Sequence, residues 1–160
     1  MADAKEGKHK TIATNRRARF EYEILDSFEA GISLLGPEVK SLREGRANLG
    51  DAYALIRGSE VFLHKLHISP YEAATRENPE DPQRPRRLLL HRHEIRKLQG
   101  RVEERGLTLI PLELYFNDDG RVKVKLALVR GKRTVDKRET IKRREADREA
   151  QRAMRGRRRG

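Results

Sequence analysis

The sequence predicts a mainly β protein: a closed antiparallel β-barrel of about six strands, with two or three short helices and a disordered basic C-terminal tail. Three observations carry that expectation. Apolar and polar residues alternate at period two through much of residues 20–128. Gly-containing turns join the alternating segments into hairpins. Charge is segregated: residues 20–130 hold 18 basic and 18 acidic side chains, whereas residues 1–19 carry a net +4 and residues 131–160 a net +8 of the chain's +12. A barrel is favoured over a compact open α+β sheet because closure leaves few long strand edges.

Taken in order, Phe20, Tyr22 and Ile24 begin one alternation, and Phe28, Ala30, Ile32 and Leu34 repeat it after a short break. Gly36-Pro37 then opens a short helix. Proline suits the first helical position, Val39 and Leu42 lie three apart on one face, and Gly45 stops it. Strands are expected at 52–57 and 60–68, joined by the two-residue turn Gly58-Ser59. Residues 69–87 contain Pro70, Pro79, Pro82 and Pro85 among charges and are expected to be a loop. A second helix should run from about His91 to Arg105 with Ile95, Leu98 and Val102 on one stripe, ended by Gly106. A final hairpin alternates Ile110, Leu112, Leu114 and Phe116 before the turn at Asn117–Gly120. Val122, Val124, Leu126 and Leu128 alternate after it, and Lys123 and Lys125 face the other way. The expected division is a flexible basic arm at 1–14, a barrel body at 15–130 and a basic tail at 131–160.

Function follows from what such a chain can recognise. Two cationic arms on a neutral body point to a polyanion. Nucleic acid comes before membrane, because neither arm offers the large apolar groups of an interfacial helix. The chain has no cysteine, so it has neither disulfides nor thiolate metal sites. No apolar run is long enough to span a bilayer and the first residues lack a secretory core, so a cytoplasmic location is expected. Of the five histidines, His64 and His67 should face opposite sides of a strand, and His91 and His93 should be separated by a helix. Neither pair gives a metal set, and no nucleophile, Walker or zinc-hydrolase motif is present. No catalytic residue, metal or cofactor is expected. The positive signal is four basic clusters: Arg16–Arg19, Arg84–Arg87, Gly131–Arg133 and Lys137-Arg138. With only four Phe, four Tyr and no Trp, shape and backbone recognition of folded RNA is favoured over stacking on a single strand.

The strings NRRARFEYEIL (15–25), FEAGISLLGPEVKSLREGRANLGDAY (28–53), DPQRPRRLLLHRHEI (81–95), GLTLIPLELYFNDDGRVKVKLALVRGK (106–132) and DKRETIKRRE (136–145) closely resemble the SsrA-binding protein (small protein B) family. The resemblance runs in order over about residues 10–145. It implies an oligonucleotide-binding-type barrel that binds the tRNA-like domain of transfer-messenger RNA, one protein to one RNA. It also implies delivery of that RNA to stalled ribosomes for trans-translation, with no covalent step by the protein itself.

By the same resemblance Asn15, Glu29 and Leu89 belong to the RNA face, with Arg17, Arg19 and Arg87 supplying phosphate contacts. Leu89 could instead pack in the core, and Glu29 could be a plain surface turn residue. Gly131, Lys132, Arg133, Asp136, Lys137 and Arg138 would lie at the decoding centre of the small subunit. The distal tail, including Met154, would be helical in the vacant mRNA channel and disordered when free. Where the family often carries His or an aromatic before Asp-Lys-Arg, this chain has Val135, and Ala153 stands before Met154 in place of a bulky aliphatic. Both changes weaken apolar contacts of the tail. Two other classes compete: a ribosomal protein whose tails thread rRNA, and an RNA-modifying enzyme.

Overall fold

The computed structural model describes residues 9–74, 77–103, 106–131, 145–146 and 148–152. Nine strands are described: β1 (Lys10–Thr14), β2 (Tyr22–Ile32), β3 (Ala47–Asn48), β4 (Tyr53–Arg57), β5 (Glu60–His64), β6 (His67–Ile68), β7 (Arg86–Leu89), β8 (Leu107–Phe116) and β9 (Val122–Gly131). The helices within the body are α1 (Ala18–Glu21), α2 (Gly36–Arg43) and α3 (Arg92–Val102).

Six strands close into a ring. The order β8-β4-β5-β7-β2-β9 returns to β8 through the β8–β9 hairpin, and every pairing is antiparallel. The expected barrel is therefore present, but two of its strands differ from expectation. The alternations expected at 20–25 and 28–34 merge, over Tyr22–Ile32, into one eleven-residue strand, β2, with an irregularity between Ile24 and Asp26, while Phe20 falls in α1 and Leu34 beyond the strand. The vacant place is taken by β7, cut from the end of the expected loop, which bridges β5 and β2. A four-residue strand behind a proline-rich segment carries too little alternation to stand out.

β1 is a further correction. Residues 10–14, expected within the flexible arm, pair with β8 from Lys10↔Phe116 to Thr14↔Glu113. β4 meets β8 only at Ala54↔Leu109, so β1 covers the edge of β8 that β4 leaves open. The strand expected at 60–68 is also split. Lys65 has φ 62°, a left-handed turn that ends β5 and starts the separate two-stranded β3–β6 ribbon.

The interior is filled by Val61, Leu63, Leu88, Leu109, Leu114, Val124, Leu126 and Leu128, each at most 2% exposed. Leu42 of α2 and Leu98 of α3 join the same core. A bulge between Pro111 and Glu113 reverses the phase of β8. Proline has no N–H to give a ladder, and a bulge is where a central strand tolerates it. In consequence Ile110 and Leu112 do not share a face with Leu114 and Phe116, as simple alternation predicts. They join Ala18, Ala127 and Val129 in a second cluster on the outside of the barrel.

One polar network is buried with the core. Arg86 is fully buried and donates from Nε to Glu38 Oε2 at 2.7 Å, from Nη1 to the Leu66 carbonyl at 2.5 Å and from Nη2 to the Pro82 carbonyl at 2.9 Å. Glu38 also accepts from Arg84 Nη2 at 2.5 Å and from the Leu35 N–H at 2.9 Å. Burial alone raises the Glu38 carboxyl, but hydrogen bonds from Arg84 and the Leu35 N–H and the charge of Arg86 leave it below its ordinary value. The cluster Arg84–Arg87, read from the sequence as a phosphate contact, is thus divided. Arg86 and Arg84 fasten α2 to β7 and the preceding loop, and Arg87 faces outward.

Candidate nucleic-acid interface

β7 alternates Arg86 and Leu88 inward with Arg87 and Leu89 outward. Leu89 is 51% exposed, so the core alternative for this residue is excluded. It sits beside Gly31 of β2, and a Cβ built on Gly31 would lie 3.2 Å from the Leu89 Cβ. The glycine lets the leucine lie low across β2. Arg87 pairs loosely with Glu60 at 3.5 Å on the same face, and both are well solvated.

Glu29 lies two residues before Gly31 and points outward. It is in the middle of a strand and not in a turn. It stands opposite Lys125 of β9, and its carboxylate accepts a hydrogen bond from the Tyr115 hydroxyl of β8. Burial and the neighbouring Glu29 carboxylate push the Tyr115 phenol well up, so it remains a donor. The His9 ring stacks on Tyr115 with centroids 3.8 Å apart. His9 Nε2 meets Glu113 Oε1 at 2.8 Å, and the Thr11 hydroxyl donates to the same oxygen at 2.7 Å. Partial burial would raise the Glu113 carboxyl, but these two hydrogen bonds and the charges of His9 and Lys125 lower it.

Asn15 follows β1. Its N–H donates to the Leu112 carbonyl at 2.8 Å and its side-chain Nδ2 to the Pro111 carbonyl at 3.2 Å, both in the bulge of β8. Asn15 lines two neighbouring cavities. One, of about 200 Å³, is a cationic groove lined by Arg16, Arg19 and Lys125 with Glu113 and Leu112. The other, of about 270 Å³, lies between α1, the segment before β4, and β8. Arg17 is exposed at the start of α1.

The register connects these positions. Leu89 and Gly31 are partners, Glu29 pairs with Lys125, Lys125 with Glu113, and Glu113 with Thr14, the neighbour of Asn15. Leu89, Glu29 and Asn15, far apart in sequence, therefore lie on one outer face across five adjacent strands, about 20 Å of surface. Arg87 and Arg19 border it. Sequence reasoning did not single out Tyr115 or Glu113, and it had Arg16 only as a member of the basic cluster Arg16–Arg19. The outward phase of Lys123 and Lys125 was the available signal for that part of the face.

Of the expected tail contacts, Gly131 ends β9 opposite Tyr22. Lys132, Arg133, Asp136, Lys137, Arg138 and Met154 lie outside the described residues. Residues 145, 146 and 148–152 are helical and exposed. The histidine geometry also differs from expectation. His91 precedes α3 with an extended backbone, and its ring stacks on His93 at 5.5 Å. No described helix is long and apolar enough to cross a membrane.

The closed barrel and its cation-bordered outer face define a small protein of the oligonucleotide-binding type. A family model described as SmpB protein matches residues 12–156. The SsrA-binding protein of Moorella thermoacetica is 59% identical over 148 residues, covering 92% of this chain and 95% of that one. Its counterpart in Symbiobacterium thermophilum is 56% identical over 157 residues, covering 98% of each. Among solved structures, a chain described under "tmRNA-SmpB: a journey to the center of the bacterial ribosome" superposes with a TM-score of 0.65. It is 50% identical and covers 81% of this chain and 93% of that one. The chain belongs to the SmpB family of SsrA-binding proteins.

Proposed function

We propose that this chain is a non-enzymatic RNA-binding adaptor of the cytoplasm. It binds transfer-messenger RNA through the outer face of β1, β8, β9, β2 and β7 and delivers it to stalled ribosomes for trans-translation. The observation that carries the reading is the assembly of Leu89, Glu29 and Asn15 on one face, in a chain of this family. Leu89 offers an apolar surface for an unstacked base. Glu29, already accepting from Tyr115, has lone pairs left for a base amino group or a 2′-hydroxyl. Arg17, Arg19 and Arg87 hold phosphates and set the register of the RNA. The body runs from β1 to Gly131. The tail beyond it takes the place of mRNA, with Lys132, Arg133, Asp136, Lys137 and Arg138 at the decoding centre and residues around Met154 helical in the channel.

The test uses one substitution and one truncation. Leu89→Ser should leave the melting temperature nearly unchanged, since the side chain is half exposed, and should weaken binding of transfer-messenger RNA at least about tenfold in a mobility-shift assay. A chain ending at Gly131 should still bind that RNA and fail to support tagging on ribosomes stalled on an mRNA without a stop codon. Wild-type affinity in Leu89→Ser, or tagging by the truncated chain, would refute the assignment.

A further inference from the structure

The 270 Å³ cavity beside Asn15 has a composition unlike the rest of this basic surface. Its floor is apolar, formed in part by Ala18 and Ile110, each at most 4% exposed. Tyr22 and Tyr53 line it with aromatic rings, the Tyr53 ring being also stacked on His64 with centroids 5.3 Å apart. The charged groups that line it are the carboxylates of Glu21 and Asp51. Asn15, which also lines the cavity, commits its Nδ2 to the Pro111 carbonyl, and its amide oxygen is a third acceptor group. Acceptors of this kind repel phosphate. The occupant must bring hydrogen-bond donors on a planar apolar body.

Immediately across Asn15 the sign reverses. The adjoining groove is lined by Arg16, Arg19 and Lys125, suited to a phosphate. An acceptor-walled aromatic slot joined through one residue to a cationic groove matches the two halves of a nucleotide. The base fills the slot and its phosphate lies in the groove. We propose that this cavity captures a single extruded guanine of an RNA. The choice of base follows from edge chemistry. Guanine alone presents two adjacent donors, N1–H and the N2 amino group, which one carboxylate accepts together. Adenine and cytosine set a ring acceptor beside the amino group, and uracil flanks its single N–H with two carbonyls. Each of these turns an acceptor toward Asp51 or Glu21 and leaves buried polar groups opposed. The proposal rests on the reading of the chain as an RNA-binding protein and adds a base-specific site to it.

Mononucleotides test the cavity by itself. The full-length ¹⁵N-labelled protein is titrated with GMP, IMP, AMP, CMP and UMP and followed by amide chemical shifts. GMP should move the amides of Glu21, Tyr22, Asp51 and Thr108 and saturate at concentrations at least about tenfold lower than AMP, CMP or UMP. IMP lacks the N2 amino group and should fall between. At least one of Asp51→Asn and Glu21→Gln should reduce the guanine preference to about twofold or less while leaving the rest of the spectrum unchanged. Equal responses to all five nucleotides, or shifts confined to Arg16 and Arg19, would overturn the proposal. So would tighter binding of N-acetyl-arginine amide than of GMP, which would make the cavity a guanidinium site for a peptide. Mobility shifts with transfer-messenger RNA on the same preparation separate the two readings. A protein that binds that RNA and ignores GMP loses only the guanine site.

Discussion

At the scale of single residues, the most informative contrast is between adjacent arginines. Arg86 is sealed in the core against Glu38, and Arg87 stands in solvent. In the string Arg84-Pro85-Arg86-Arg87 they are equivalent basic letters. Only the phase of β7 separates them, and that phase is set by Leu88 inside and Leu89 outside. The exposure of Leu89 was legible as an alternative in the sequence and needed the strand to settle it. Glu38→Gln tests the buried pair. It leaves Arg86 without its counter-charge and should destabilise the barrel by ~3–5 kcal/mol in urea unfolding. The pH dependence has a definite sign. Because folding holds the Glu38 carboxyl below its ordinary 4.5, the unfolded chain binds more protons in the interval between the two values. Its contribution is complete above about pH 4.5 and is lost as pH falls through the folded value. Unfolding free energy should therefore drop on acidification below that point in the wild type, and less steeply in Glu38→Gln. A parallel slope in both would show that other carboxylates govern acid unfolding.

At the scale of elements, alternation located β4, β5, β8 and β9 because each carries several apolar residues in phase and ends at a strong turn. It failed where phase is broken. The bulge at Pro111–Glu113 turns Ile110 outward to meet Ala18, and Lys65 ends β5 with a positive φ that few non-glycine residues adopt. β1 is the least legible element, since KTIAT is short and sits in a segment of net +4 charge. What makes it a strand is the open edge of β8, a property of the partner. Deleting residues 1–14 should then expose the β8 edge from Glu113 to Phe116, remove the His9 stack on Tyr115 and lower the melting temperature by several degrees. Deleting only residues 1–8 should leave it unchanged. If both deletions melt like the full chain, β1 contributes nothing to stability, and its role is confined to placing Asn15.

At the scale of the whole molecule, the proposed function divides two tasks between the neutral body and the charged tail: selecting an RNA and occupying a channel lined by phosphates. The charge layout was plain in the sequence because it needs only counting. Removing residues 132–160 takes away a net +8. The fall of log K with log salt, ~0.7–0.9 per phosphate neutralised, should be shallower for the truncated chain than for the full one. Charge alone does not say whether the tail works as a helix or as a flexible polycation, and this can be separated at Glu149. That residue lies within the described helical residues 148–152. Glu149→Pro removes a backbone donor and clashes with the preceding turn, at a cost of ~3 kcal/mol of helix free energy. Glu149→Gln removes the same negative charge and keeps helix propensity. Both variants should bind transfer-messenger RNA as the wild type does, because the barrel face is untouched. If the tail must be helical in the mRNA channel, the proline variant should fail to tag on stalled ribosomes and the glutamine variant should tag nearly normally. Equal tagging by the two would mean that the positive charge acts without the helix.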